Sequence, residues 1–251
     1  REVRRLGTIL PALVLALGVA AWPARTAADL VASLSNHLVA ITTSFAGADV
    51  LLFGTTGGRG DVVVVVRGPE SEQTVRRKGR NFGVWINEAE VTFGGVPGYY
   101  AIAANRPVSD FLPEPTSRRH QIGIDNLRLP VVRGSGGAEP ESFRAALFRN
   151  KQRTGLYPFN TAPILFLGER LFRTDMRVPA NAPVGDYTVS IYLVEDGEII
   201  QAESTPLIVN KVGLEARLFD FAHRQSAAYG ILAVIIAAVA GWLAHIMFRK
   251  S

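Results

Sequence analysis

The chain has 251 residues, a formal net charge of +5 and no cysteine. Four of its 27 basic and one of its 22 acidic residues lie in the first 28 positions, and two basic residues follow Phe248, which leaves 21 of each sign in between. A neutral central region provides no basic field to attract a nucleic acid, and the lack of cysteine excludes disulfides, a thiol nucleophile and thiolate metal sites.

The N-terminal segment has the pattern of a cleavable signal peptide. Three arginines within the first five residues precede an apolar stretch at 6–22, and small residues follow up to Ala28. A basic region, a short apolar region and small residues before the cleavage point are the three parts of such a signal. The sequence therefore predicts a signal peptide over 1–28, with an uncleaved N-terminal anchor as the alternative.

Short β-prone segments occupy the first part of the central region. The five consecutive valines at 62–66 are typical of a strand whose two faces are both covered. Glycine and proline residues lie between the segments, as expected of turns. The segments that predict strands in this part are 38–43, 49–55, 62–67, 81–87 and 99–104.

The middle of the chain, at about 105–160, is rich in loop signals and partly helical in its pattern. Several prolines and the sequence GSGG at 134–137 interrupt it. Residues 139–153 predict a short helix, because Pro140 suits the first turn, acidic residues lie near the start and basic residues lie near the end. We expect this stretch to be an insertion in a β domain.

Strand patterns return after the insertion. Segment 171–178 alternates in polarity, and 187–194 leads through Asp196-Gly197, a hairpin-turn sequence, to a returning strand at 198–209. The run 183–187 before a strand resembles the tyrosine corner of immunoglobulin-like sandwiches.

These segments together predict the fold class, which is mainly β. We expect an immunoglobulin-like β-sandwich over 29–210, with the partly helical insertion at about 105–160. Two tandem small β domains are the alternative, because this length is sufficient for either arrangement.

The C-terminal segment has the pattern of a transmembrane helix. From Ala227 to Phe248 no side chain is acidic or basic, and a bilayer requires about 20 apolar residues in a helix. We therefore predict a transmembrane helix over 226–248, preceded by a juxtamembrane amphipathic segment at 211–225. The basic residues of the tail at 249–251 predict a cytoplasmic C-terminus, with the bulk of the chain on the opposite side of the membrane.

A cluster of basic residues is the clearest candidate binding site. Arg76, Arg77, Lys78 and Arg80 lie close in sequence to Trp85. Guanidinium groups hold planar or tetrahedral oxyanions through paired hydrogen bonds. The sequence therefore predicts a site for a small anion such as sulfite, sulfonate or phosphate, or for a lipid headgroup. The alternative is an edge strand or turn that its charges keep soluble.

The predicted transmembrane segment carries a second candidate site. Ala233, Ala237 and Gly241 recur at every fourth residue, and His245 continues the same stripe. Small residues at this spacing allow another helix to approach closely, and an imidazole can form a hydrogen bond across the contact. The alternative is a stripe with no partner, since alanine is common in such segments.

No pattern in the chain indicates a catalytic or metal site. The four histidines have no metal-ligand spacing, and no nucleophile motif such as G-x-S-x-G occurs. We therefore predict no cofactor, no metal and no enzyme activity. An enzyme that brings His37 or His120 together with Asp125 or Glu88 is the alternative.

Several sequence blocks resemble a known family. They are SFAGADVLLFG at 44–54, VVVVVRGP at 62–69, VRRKGRNFGVWIN at 75–87, the Tyr99-Tyr100 pair and the C-terminal apolar segment. They are similar to the Alph_Pro_TM family of uncharacterised bacterial transmembrane proteins. The resemblance implies a protein of the bacterial inner membrane with a periplasmic domain. It implies no established activity, and it points weakly to neighbouring permeases of the sulfite-exporter type.

The functional prediction combines the neutral central region, the lack of a catalytic pattern and the stripe in the C-terminal segment. We expect an accessory or binding module for another membrane protein, with a small-anion permease of the sulfite or sulfonate type as the candidate partner. A membrane-tethered enzyme and a structural envelope protein are the alternatives. A flat apolar or arginine-rich face would favour the module, and a cleft with a histidine and a carboxylate would favour the enzyme.

Overall fold

The computed structural model describes residues 30–42, 45–58, 60–135, 137, 139–211, 223 and 225–248. The predicted signal peptide, the tail at 249–251 and nearly all of the predicted juxtamembrane segment lie outside these residues. The strands are β1 (Val31–Leu34), β2 (Leu38–Ile41), β3 (Ala48–Thr55), β4 (Asp61–Arg67), β5 (Glu70–Asn81), β6 (Val84–Pro97), β7 (Tyr100–Ala104), β8 (Val131–Ser135), β9 (Ala162–Pro163), β10 (Leu165–Leu167), β11 (Leu171–Val178), β12 (Gly185–Glu195) and β13 (Glu198–Lys211). The helices are α1 (Glu114–His120), α2 (Pro140–Arg153) and α3 (Ser226–Phe248), with two 3-10 turns at Val108–Asp110 and Ile124–Asn126.

Two facing sheets form a β-sandwich. One is a four-stranded antiparallel sheet in the order β1-β3-β11-β10. The other has six strands in the order β2-β13-β12-β4-β7-β9, with a parallel pair at each end. Leu52 and Phe172 of the smaller sheet share one buried cluster with Val64 and Ile191 of the larger sheet. The mainly β class and its sandwich are therefore confirmed.

The valine-rich strand β4 lies at the centre of the molecule. Its five valines are each no more than 2 % exposed. Val62, Val64 and Val66 face the core between the two sheets, whereas Val63 and Val65 belong to a second buried cluster on the opposite face. The predicted strand with two covered faces is thus confirmed, and its burial follows from the absence of any polar residue that would have to remain in water.

The insertion covers the second face of the six-stranded sheet. Its aromatic and aliphatic side chains, including Phe111, Ile122, Phe148 and Tyr157, pack with Val65 in the second buried cluster. The predicted helix at 139–153 forms as α2, with a proline in its first turn and basic residues in its last turn. Strand β4, which precedes the insertion in the chain, pairs with β12, which follows it, so both parts of the chain contribute to one sheet.

A third sheet of three antiparallel strands, β5-β6-β8, extends from the sandwich. One face of β6 is apolar near its C-terminal end, where Val91 and Phe93 share a buried cluster with Phe143 and Leu147 of α2. This packing supports one end of the β5–β6 hairpin, and β8 pairs with residues 90–93 of β6.

Tyr187 has the hydrogen bond of a tyrosine corner. Its hydroxyl donates to the backbone oxygen of Pro183 at 2.7 Å. Its ring lies 6.0 Å from that of Tyr99, and the hydroxyl of Tyr99 donates to the backbone oxygen of Arg177 at 2.8 Å. These contacts connect the start of β12 to the loop before it and to β11.

The prediction of a transmembrane helix over 226–248 is wrong. Helix α3 does form over Ser226–Phe248, but within the part of the chain that the structure describes no helix combines the length and apolarity required to cross a bilayer. The sequence argument rested on length and on the absence of charged side chains. Length and the absence of charge do not by themselves establish the apolarity that a bilayer requires.

Candidate functional site

The β5–β6 hairpin carries the predicted basic cluster. Its strands pair from Glu70 opposite Pro97 to Asn81 opposite Val84, with irregularities near Ser71 and between Arg77 and Lys78. We call residues 70–97 the hairpin arm and residues 78–87 the arm tip. The tip contains four paired positions, from Lys78 opposite Asn87 to Asn81 opposite Val84, and then the turn. At about 3.3 Å per residue, these four positions extend roughly 13 Å beyond the part supported by β8 and α2.

The arm ends in a two-residue turn of unusual composition. Phe82 and Gly83 have φ angles of +48° and +83°, the left-handed values of a type I′ hairpin turn. The first of these two positions normally carries asparagine, aspartate or glycine. The sequence prediction of one strand over 81–87 is therefore wrong, because the chain reverses at a phenylalanine that gives no turn signal.

The arm tip exposes large apolar side chains. Phe82 is fully exposed and Trp85 is 66 % exposed. Val84 and Ile86 are exposed as well. Since successive residues of a strand point to opposite faces, Val84 and Ile86 project on one side of the hairpin and Trp85 projects on the other. Each face of the tip therefore carries at least one exposed apolar side chain, and the face of Trp85 also carries Arg80, its register partner.

The predicted cationic residues lie on one strand but do not converge. Arg76 forms an ion pair with Glu90, with Nε 2.9 Å from the carboxylate. The Arg77 guanidinium instead lies over the Phe143 ring, 5.8 Å from its centroid. Adjacent strand residues thus engage different partners at the base of the tip, and the structure does not gather these two guanidinium groups around one anion.

Lys78 and Arg80 differ from their two neighbours. Both are exposed on the arm tip, and neither has an ion pair among the residues that the structure describes. Arg80 lies directly opposite Trp85 in the strand register, so the predicted proximity of these two residues is present. The Glu88 carboxylate lies in the space beside Gly79 that a larger residue would fill.

The histidines proposed for an alternative enzyme have separate surroundings. His37 is exposed, with Nδ1 3.3 Å from the backbone oxygen of Pro206. His120, at the end of α1, packs edge-on against Tyr192 with 5.6 Å between ring centroids. Burial, and then the charges of Arg119 and Arg67, lower the pKa of His120. Within the described ranges no group of three or more histidine or acidic residues is suited to hold a metal ion.

The helical stripe lies on α3 as its spacing requires. Ala233, Ala237, Gly241 and His245 are all exposed. Residues four apart in a helix share one face, so these four remain accessible to a second helix. Their role in packing stays a prediction.

A cavity of about 530 Å³ lies at one end of the sandwich, beside the start of β4 and the end of β12. The guanidinium of Arg106 donates to both carboxylate oxygens of Asp61, at 2.7 and 2.6 Å. This pairing holds the pKa of Asp61 below its usual value. Asn105 connects Asp61 to the backbone of Val62, so the charged pair fastens the loop after β7 to β4. Asp61 thus forms these hydrogen bonds with Arg106 and with Asn105, within the fold.

The outer face of the four-stranded sheet carries a feature that the sequence prediction missed. Alternation along β11 turns Leu171 outward together with Arg173, while Phe172 faces the core. Leu171 pairs with Leu167 on one side and with Thr55 on the other, and Arg173 pairs with Leu165 and Phe53. The exposed apolar residues grouped here, which we call the outer patch, are Val31, Phe53, Leu165, Leu167 and Leu171.

The signal for this patch was present in the sequence but incomplete. Alternation in 171–178 assigns every second residue to the outside, and the first of these is a leucine instead of a charged residue. The outward position of Leu165 and Leu167 could not be predicted from the sequence, because β10 has only three residues and no strand was predicted there.

The fold and these surfaces define a class of protein: a β-sandwich with a helical insertion over one sheet, an apolar patch on the other and a projecting cationic hairpin. The chain belongs to the family described as "Putative transmembrane protein (Alph_Pro_TM)", which matches residues 29–250. The resemblance found in the sequence is confirmed, and the family description associates the chain with a membrane. No curated protein and no solved structure matches the chain.

Proposed function

We propose that this protein is a non-catalytic accessory module that binds another membrane protein at the periplasmic face of the bacterial inner membrane. The observation that carries the proposal is the outer patch. A small-anion permease of the sulfite or sulfonate type is the candidate partner.

The outer patch has the properties of a protein-docking surface. A sheet face is flat, and its backbone is held by ladder hydrogen bonds on both sides at β3 and β11. Its apolar residues occupy neighbouring register positions on four strands, so they form one area. Contiguous exposed apolar surface with polar residues at its margin is typical of interaction sites. Arg173 lies within this area, between Leu165 and Phe53, and Asp175 follows on the same outward face of β11 as a polar residue at the margin.

The enzyme alternative has less support. The two candidate histidines contact different elements, with His37 near Pro206 and His120 near Tyr192. The cavity near Asp61 contains an ion pair that is already satisfied within the fold. A general base needs a reacting group within hydrogen-bond reach, and a nucleophile needs a base beside it. The binding module is therefore the function that the geometry favours.

The test is recovery of the partner from native membranes in mild detergent, with the bound proteins identified by mass spectrometry. The variant is Leu167→Lys, which places a charge in the outer patch. Leu38→Lys is the matched control, because both leucines lie on edge strands and are 50 % and 51 % exposed. Exposed substitutions of this kind change stability by about 0.5 kcal/mol or less, so both variants should fold.

We expect the wild-type chain and Leu38→Lys to recover one membrane protein in stoichiometric amount and Leu167→Lys to lose it. A permease among the recovered proteins would identify the candidate partner. If no protein copurifies with the wild type, or if Leu167→Lys recovers the same proteins as the control, the proposal is refuted.

A further inference from the structure

The arm tip has a property that the outer patch and the proposed partner do not explain. Phe82 occupies a left-handed backbone conformation, which costs a residue with a side chain roughly 1–2 kcal/mol relative to the usual regions. Asparagine or glycine would relieve this strain at the same turn. The ring is fully exposed and has no aromatic or cationic contact within the described residues, so nothing inside the fold compensates.

We propose that the arm tip inserts into the headgroup region of an anionic phospholipid surface. Phe82, Val84 and Trp85 would enter the boundary between headgroups and acyl chains, and Lys78 and Arg80 would contact the lipid phosphates. The proposal concerns the hairpin alone and is independent of the outer patch.

The order of residues along the arm matches the layers of a membrane surface. Arg80 lies two residues from Phe82, about 7 Å along the strand, and Lys78 lies four residues away, about 13 Å. Apolar side chains of interfacial elements reach roughly 5–10 Å into the headgroup boundary. When Phe82 is at that depth, Arg80 is near the phosphate layer, and the flexible side chain of Lys78 extends toward it. Aromatic residues and cations are both favoured at this level.

The charges of the arm favour an anionic lipid. Residues 76–90 contain four basic and two acidic side chains. The Arg76–Glu90 pair is neutral and lies at the base of the tip, and the Arg77 guanidinium is engaged with Phe143. Lys78 and Arg80, which have neither an ion pair nor a cation–π contact among the described residues, are the two cations nearest the turn. Positive charge therefore increases toward the end that carries the exposed rings.

The distribution of apolar side chains favours lipid over a protein surface. Val84 and Ile86 project from one face of the hairpin and Trp85 from the other. A flat partner protein would cover one face and leave the opposite one in water. Lipid headgroups and chains surround an inserted element on all sides, so both faces are buried together. A two-sided apolar tip is therefore better matched to a bilayer.

The experiment measures insertion of Trp85 directly. The chain has three tryptophans, and Trp22→Phe with Trp242→Phe leaves Trp85 as the sole reporter. The full chain is mixed with vesicles of phosphatidylcholine, with or without phosphatidylglycerol, whose acyl chains carry bromine to quench tryptophan. We expect quenching of Trp85 that increases strongly when phosphatidylglycerol is present.

Two sets of variants test the assigned roles. Lys78→Gln with Arg80→Gln should shift the equilibrium between inserted and exposed tip by about thirty-fold, because each basic residue near an anionic surface contributes about one kcal/mol. The matched control is Arg149→Gln with Arg153→Gln, which removes the same charge from exposed positions on α2. The control should leave quenching unchanged.

Phe82→Asn separates binding from folding. The substitution removes the ring and relieves the turn, so the chain should lose quenching while its melting temperature stays the same or rises. Phe159→Asn is the control, since Phe159 is another strongly exposed phenylalanine outside the arm. The proposal is overturned by any one of three results: no quenching in the starting chain, quenching that does not depend on phosphatidylglycerol, or equal quenching in Phe82→Asn and its control.

Discussion

Tyr100 provides a quantitative test of how the insertion is attached to the sandwich. Its hydroxyl donates to the backbone oxygen of Gln121 at 2.8 Å and accepts from the backbone N–H of Gly123 at 2.9 Å. Burial raises the pKa of Tyr100 to about 12, so the hydroxyl remains a donor at neutral pH. The substitution Tyr100→Phe removes both hydrogen bonds and leaves the buried ring in place.

The two lost hydrogen bonds have different consequences. The Gln121 oxygen retains a second donor, Nη2 of Arg67 at 3.1 Å, so its loss should cost about 1 kcal/mol. The Gly123 N–H loses its hydroxyl acceptor, and a buried donor left unsatisfied costs about 1–3 kcal/mol. We therefore expect Tyr100→Phe to lower the free energy of unfolding by about 2–4 kcal/mol. For a domain of this size each kcal/mol lowers the melting temperature by roughly 2–4 °C.

Tyr157→Phe is the matched comparison. Tyr157 is equally buried and lies 5.8 Å from the Tyr100 ring, but its hydroxyl makes one hydrogen bond, to the backbone oxygen of Pro97 at 2.7 Å. Because Tyr157→Phe removes one hydrogen bond where Tyr100→Phe removes two, it should cost about 1–3 kcal/mol and less than Tyr100→Phe. Urea unfolding, followed by circular dichroism, measures both variants. If Tyr100→Phe is no more destabilising than Tyr157→Phe, the attachment through Gln121 and Gly123 is not what stabilises the insertion.

Two further predictions follow from the described contacts. The pKa of His120 is lowered in the fold, so below its usual pKa of 6.5 the unfolded chain binds more protons than the folded chain. The free energy of unfolding should therefore decrease as the pH is lowered from about 7 to 5. His120→Phe should remove that part of the pH dependence in urea titrations. Gly54→Ala would place a Cβ 2.6 Å from both the Phe172 ring and the backbone oxygen of Val31, so it should destabilise by about 1–3 kcal/mol in thermal unfolding. Gly134→Ala, which meets nothing within 4 Å, is its control and should be close to neutral.

The strands that were predicted most accurately from the sequence are those whose own residues show which faces are buried. The valines of β4 admit only a strand with two covered faces, and strict alternation in 171–178 gave β11 with its observed bounds. Strand β5 was missed, because its many charged and polar residues carry no strand signal. It is a strand because it pairs with β6 along its whole length, and such long-range pairing outweighs local preference.

The basic cluster shows why sequence proximity does not determine a site. Arg76 and Arg77 are neighbours in the chain, yet strand alternation directs one toward Glu90 and the other toward Phe143. Their proximity could be read from the sequence, but their partners follow only from the strand register. The same limit applies to the outer patch, since its residues come from two regions, 31–53 and 165–171, that are distant from each other in sequence.

One mismatch between local sequence and local structure lies at the turn of the arm. The turn between β12 and β13 has, by contrast, a sequence that suits its left-handed conformation, Asp196 and Gly197. At the equivalent turn of the arm, Phe82 occupies the position of Asp196 without its tolerance for that conformation. Natural sequences retain such conflicts mainly where function requires them. An exposed ring in a strained turn, beside two cations, is best explained by contact with something outside the fold, and this is the reason to test the tip against lipid first.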